Sequence, residues 1–134
     1  MAIWKDIEKT VRGFVAAGIF DRDGMIVDGH SADPSFHIEH AAAAFITAIE
    51  EADNAGNLIG IGRQDEVQIT YEGVVILLRR VPGSDRGLVL GLASRTDGSP
   101  LGRIRMTMDI LMQRLTHSAE GHQRPSSTAP AQVS

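Results

Sequence analysis

Cysteine is absent from the 134-residue chain, aromatic residues number six (four Phe, one Tyr, one Trp), and the apolar runs are short. The first absence excludes disulfides, thiolate metal frameworks and a thiol nucleophile. The second leaves few faces on which nucleobases could stack. Short apolar runs exclude a spanning helix, which needs roughly 20 apolar residues in succession. Basic charge is not in excess either: 13 Lys and Arg against 17 Asp and Glu leave a net charge of −4. Neither nucleic acid nor an anionic lipid surface is therefore an expected partner. The opening residues, MAIWKDIEKT, show no apolar stretch of a signal peptide, so a cytoplasmic protein without membrane insertion is expected. At a prior of about 150 residues per domain the chain is a single domain. That size buries roughly two-thirds of the unfolded surface on folding, which supports a core without cross-links.

The segment from His117 to Ser134 is rich in Ser, Pro, Ala, Gln and Gly, with Val133 its one large aliphatic residue. It cannot bury enough surface to offset its ordering entropy, so a domain over 1–116 and a disordered tail over 117–134 are expected. Within the domain, Trp4, Ile7 and Val11 stand at helical spacing among charged residues, which predicts an amphipathic helix. FVAAGIF (Phe14 to Phe20) reads as a strand, Asp21 to Gly24 (DRDG) as a turn, and MIVDG as the returning strand of a hairpin. Asp33 followed by Pro34 predicts a helix start, capped by the Asp side chain, with the helix running to about Asn54 and Gly56 as its left-handed cap. Its apolar stripe is Ile38, Ala42, Phe45, Ile49 and Ala52; the far side carries the small residues Ala44, Thr47 and Ala48, then Glu51.

EVQITY (Glu66 to Tyr71) alternates, which predicts an edge or half-exposed strand, whereas VVILLRRV (Val74 to Val81) and LVLGLAS (Leu88 to Ser94) are apolar on both faces and predict covered strands. Ser99-Pro100 opens a last helix by the same cap-then-proline logic, with Leu101, Ile104, Met108, Leu111 and Leu115 in one stripe. Met106 and Ile110 fall on roughly the opposite side, either covered by the first helix or reserved for an intermolecular contact. The order helix, two strands, helix, three strands, helix, with hairpin-length connections, predicts an α/β fold. It is a three-layer α-β-α sandwich around a mostly antiparallel five-stranded sheet.

Candidate chemistry is sparse. His37, Glu39 and His40 lie together in SFHIEH; zinc-binding imidazoles on a helix favour a spacing of four, the three found here is possible, but a third ligand has no obvious position. No metal and no cofactor are expected. DRDG fails as a calcium loop, since its fifth position would be Met25 and its twelfth Ala32. NLIGIGRQ (Asn57 to Gln64) lacks the spacing of a phosphate cradle and reads as a connector. Arg79, Arg80 and Arg86 bracket a loop and read as solvated charges or as a site for an acidic partner. Nothing assembles a nucleophile, a base and an orienting group, so the chain is not expected to be an enzyme. The alternating edge strand and the small-residue helix face are better clues. An unpaired edge invites another strand, small residues admit another helix, and together they predict a two-fold homodimer. Alternatively, Ala is merely the best exposed helix former.

Two motifs carry a resemblance. Asp21-Arg22-Asp23-Gly24-Met25-Ile26-Val27 resembles the D-x-D-G-x-x-[VI] hairpin of the Roadblock / dynein light chain family, and Leu101-Gly102-Arg103-Ile104-Arg105 resembles that family's L-G-x-[VIL]-R signature. Element order and the alanine-rich second helix agree, over about Trp4 to Leu115. Two features depart from the pattern: Pro100 stands where the family often has Asn, and the PGSDRG loop is longer than a tight turn. The resemblance implies strand order 2-1-5-4-3, with the long helix on one face and the N- and C-terminal helices on the other. It further implies a homodimer built through the third strand and second helix. Such proteins serve as non-catalytic platforms for small Ras-like GTPases, and bacterial gliding-motility members act as GTPase-activating partners.

On this reading the dimer interface is expected at Ala44, Thr47, Ala48, Glu51, Glu66, Gln68 and Thr70, with partner contacts at His40, Ala44 and Arg63. Two alternatives stand beside it. One is a small-ligand sensor with a cavity near His30, His37 and Tyr71, and the other is a scaffold with no effect on hydrolysis.

Overall fold

The computed structural model describes residues 3–127, with side-chain surroundings for 3–116. Helix α1 (Ile3–Thr10) is followed by strands β1 (Phe14–Phe20) and β2 (Ile26–Ser31), then by a single 3-10 turn (Ile38–Ala41) that runs into helix α2 (Ala42–Leu58). Strands β3 (Val67–Thr70), β4 (Val74–Arg80) and β5 (Val89–Arg95) precede helix α3 (Leu101–Ser127). The strands form one sheet in the order β2-β1-β5-β4-β3, and every neighbouring pair is antiparallel. The expected three-layer α/β sandwich and strand order are those observed.

The strand periodicity of two builds two cores. Ala17, Ile19, Val75, Leu77, Leu90 and Leu92 face α1 and α3, meeting Trp4, Ile7, Ile104, Met108 and Leu111. Phe20, Ile76, Leu78, Val89 and Ala93 face the other way, against Ile38, Ala42, Phe45, Ile46 and Ile49. Alternation breaks once, where Val15 and Ala16 both serve the α2 core and the register with β5 shifts between Phe14 and Ala16. Two consecutive residues on one side are what a β-bulge produces.

The start of the second helix differs from expectation. Asp33 does not cap it: its carboxylate accepts the Ser35 N–H at 3.0 Å and the Ser35 hydroxyl at 2.7 Å, and its carbonyl accepts the Phe36 N–H. Asp-Pro here builds a tight turn, Ser35's hydroxyl and amide hold the Asp33 carboxyl below its usual pKa, and helical structure begins only at Ile38. Ser99 also has another task. Its Oγ accepts the Arg12 N–H at 2.8 Å, pinning the α1–β1 corner to the start of α3, and Pro100 alone supplies the helix-start geometry.

Met106 and Ile110 are 64% and 51% exposed. Helix α1 packs on the Ile104–Met108–Leu111 stripe and borders a groove shared with Ile110, leaving both residues largely exposed. The backbone of α3 continues to Ser127, past the boundary expected at Thr116. The tail expected over 117–134 otherwise falls outside the described side chains and, from 128, outside the described residues.

Gly56 is not the left-handed cap. It lies buried inside α2, while Gly60 and Gly62 take the positive φ values of 81° and 83°. Its carbonyl accepts the N–H groups of Ile61 and Gly62, and an added Cβ would stand 1.9 Å from the Gly62 carbonyl oxygen. The connector thus folds back onto the helix where only glycine leaves room. Helix propensity alone favours Gly56→Ala by about 0.5–1 kcal/mol, whereas the clash costs about 1–3 kcal/mol. Urea unfolding of Gly56→Ala should show a net loss of about 1–2 kcal/mol; a stabilised variant would show that the connector does not depend on this contact.

Candidate functional site

Helix α2 turns Ala42, Phe45, Ile46 and Ile49 into the sheet, which leaves Ala44, Thr47 and Glu51 exposed and Ala48 half-buried. Residues at steps of three and four share one side of a helix, so the four form the stripe expected of them. Ala43 is small for a different reason. A Cβ on Gly24, at φ 81°, would come within 2.8 Å of its Cα: the β1–β2 hairpin loop closes against the first turn of α2. Asp21 shapes that loop by accepting the N–H groups of Asp23 at 2.9 Å and Met25 at 3.1 Å.

Strand β3 pairs with β4 only, so its other edge is unpaired among the described residues. Register places Gln68 opposite Leu77 and Thr70 opposite Val75, on the α1/α3 face of the sheet. Val67 and Ile69 pack toward the α2 core. The structure therefore separates the expected interface into two parts. Ala44, Thr47, Ala48 and Glu51 lie on the α2 face, and Glu66, Gln68 and Thr70 on the opposite one, joined only through the edge strand. Glu66 is also engaged: its carboxylate receives Arg79 at 2.9 Å and Arg105 at 2.9 Å, while Arg105 also reaches Gln68 at 3.1 Å and Arg79 reaches Asp109 at 2.5 Å. This cluster clamps α3 to the β3–β4 edge.

A matching clamp lies on the other face, where Arg80 meets Asp53 of α2 at 2.5 Å and Asp53 accepts the Gln64 N–H at 3.0 Å. Arg79 and Arg80 are thus ion-paired on opposite faces of the sheet rather than solvated loop charges. Arg86 is 3.8 Å from Asp21, and Arg22 donates to the carbonyls of Asp85 and Arg86, tying the PGSDRG loop to the hairpin. Arg63 is exposed and, with Gln64, Arg79, Arg80 and Arg105, lines an open cleft of about 650 Å³. His40 is exposed beside the start of α2, its ring stacked on that of His37 at 4.9 Å.

The sequence reading passed over one group. Leu58, Ile59 and Ile61 are 79%, 70% and 76% exposed, at the end of the α2 stripe and just before β3. The available signal was three large apolar residues in a glycine-punctuated connector, too short to bury them. The cavity near His30, His37 and Tyr71 is only partly realised. His37 and Tyr71 line an apolar cavity of about 290 Å³ with Phe36, Phe45 and Val74. His30 sits on the opposite face, 2.6 Å from Glu8 and stacked on Phe14.

No protein-family model and no curated protein matches the sequence. Among solved structures, a Roadblock/LC7 domain from Streptomyces avermitilis superposes with a TM-score of 0.76 at 16% identity, covering 89% of this chain and 96% of that one. Myxococcus xanthus MglB gives 0.76 at 15% identity, with 90% and 94% covered. The gliding protein MglB from Thermus thermophilus gives 0.74 at 17%, with 90% and 87% covered. This chain has the Roadblock/LC7 fold.

Within the Roadblock fold the two motifs have local tasks. Asp21 and Gly24 form the hairpin that abuts α2, Ile104 is buried under the sheet, and Arg105 reaches Glu66 from α3. Nothing in the structure explains Gly102, whose Cβ position is open. Asp53 is held below its ordinary pKa of 3.8 chiefly by the Arg80 hydrogen bond, with the Gln64 amide assisting against burial. A carboxylate with a depressed folded pKa stabilises the fold fully above its unfolded value and loses that contribution as pH falls through the folded value. Asp53→Asn should cost about 1 kcal/mol at pH 7. The gap from the native protein should close in acid below the unfolded value of 3.8, as read by chemical denaturation across pH.

Proposed function

We propose that this chain is a non-catalytic homodimeric regulator or scaffold that binds a small Ras-like GTPase in the cytoplasm of a bacterium and modulates its GTP hydrolysis. One observation carries the reading: an unpaired β3 edge lies at the end of a connector whose exposed Leu58, Ile59 and Ile61 continue the small-residue stripe of α2. Four residues of β3 supply too little area for a stable dimer, which needs over ~1,000 Å². The α2 stripe and the apolar connector provide the rest. Edge-to-edge pairing about a two-fold axis joins two sheets into one of ten strands and sets two α2 helices side by side.

Dimer contacts then fall at Ala44, Thr47, Ala48 and Glu51 on α2, and at Glu66, Gln68 and Thr70 along the edge. His40, Ala44 and Arg63 border the paired helices and meet the GTPase. Such a platform supplies no reacting group; it acts by holding the GTPase's own switch segments in one arrangement. The likeness in fold to MglB supports this reading, and one MglB structure is described as a tetrameric arrangement.

Ala48→Glu places like charges against each other across the two-fold axis and should weaken the dimer by about 100-fold, or about 3 kcal/mol. Sedimentation equilibrium that still shows a dimer would move the interface elsewhere. Mixing the protein with a Ras-like GTPase from the same genome, loaded with GDP or GTP, should give a complex in one nucleotide state. No complex in either state with any of them would end the GTPase reading. The apolar cavity beneath His37 and Tyr71, at about 290 Å³, favours a second reading as a small-ligand sensor, since ligand sites begin near ~300 Å³. A metabolite that raises the melting temperature, and loses that effect on Tyr71→Ala, would support it.

A further inference from the structure

The turn into α2 brings three donor side chains, His37, Glu39 and His40, close together. His37 and His40 are three residues apart, a spacing at which side chains on a helical turn are neighbours. Here His37 caps the 3-10 turn from outside it, its carbonyl accepting the His40 N–H at 3.0 Å. The rings stack with centroids 4.9 Å apart. Glu39, between them in sequence, folds back so that its Oε2 lies 3.7 Å from His37 Nδ1. One donor atom from each residue lies within 4.8 Å of the others.

We propose that His37, Glu39 and His40 bind a zinc-type divalent cation. Two imidazoles and a carboxylate are the donors that borderline ions such as Zn²⁺ favour. A tetrahedral ion with bonds of about 2.0–2.1 Å needs donors roughly 3.4 Å apart. The His37–Glu39 pair already meets this within a few tenths of an ångström, and the exposed rings close the remainder by rotating. Three protein donors leave a fourth position for water. The nearby N-terminal end of α2 opposes a cation by a factor of about five at most, far less than chelation gains. The site shares His40 with the residues proposed to meet the GTPase, but ion binding is read on the chain alone and so survives the failure of the GTPase or dimer reading.

Titrating the full chain with Zn²⁺ by calorimetry should show one ion bound per chain and a rise in melting temperature by mass action. His37→Ala and His40→Ala, both at exposed positions, should each weaken binding at least about tenfold, and Glu39→Gln by less. The control His117→Ala/His122→Ala should leave binding unchanged, as should His30→Ala, whose imidazole pairs with Glu8 on the other face. Absence of binding by the native chain overturns the proposal. So does affinity that survives in His37→Ala and His40→Ala, or that disappears with the C-terminal histidines.

Discussion

Two apolar cores share a single sheet, and the strands between them can be neither polar nor uniformly bulky. All seven residues of β1 are buried, and β5 is buried up to its last residue. Where these strands lie side by side, Gly18 faces Gly91 and the ring of Phe20 covers the pair. A Cβ on Gly18 would stand 2.9 Å from that ring, and one on Gly91 3.3 Å from it. Glycines weaken a strand on their own, and an aromatic ring laid over them restores the lost contact. The small residues Ala16 and Ala93 extend the same shallow surface, which lets α2 approach closely. The position of α2, and hence of its outward stripe, follows from this packing.

Burying the middle of the sheet leaves its exposed backbone and side chains at the margins. Strand β3 is short and covered on one face only, and consecutive arginines at the end of β4 project to opposite faces. Arg79 holds Glu66 and α3 below the sheet, and Arg80 holds Asp53 and α2 above it. Both helices are therefore fixed at the same edge that the sheet leaves unpaired. A rigid edge flanked by clamped helices suits the pairing of two sheets, because little further ordering entropy is lost on association.

The histidine turn shows how local backbone form decides chemistry. His37 caps the 3-10 turn with an extended backbone, His40 lies within it, and the two rings stack 4.9 Å apart. Asp33 spends its side-chain hydrogen bonds on Ser35, and helical structure begins at Ile38, four residues beyond Pro34, as a 3-10 turn. The apolar cavity alongside is lined by this entry segment, with Phe36, His37 and Ile38 facing Tyr71 and Val74.

Periodicity alone determined the strands, the buried stripes of α1, α2 and α3, and the alternation of β3, because burial imposes a period that local sequence must obey. The DRDG turn was legible for the same local reason, as its Asp and Gly shape the backbone within four residues. Tertiary structure decided what depends on partners distant in sequence. Ser99 serves Arg12 rather than its own helix, Gly56 serves a returning connector rather than a cap, and Arg79 and Arg80 are held across the sheet rather than solvated. It also divided the expected interface between two faces, because the pairing register of β3 with β4 settles which way Gln68 and Thr70 point. Side-chain hydrogen bonds and close approaches of this kind are set by the meeting of separate elements, which no local pattern encodes.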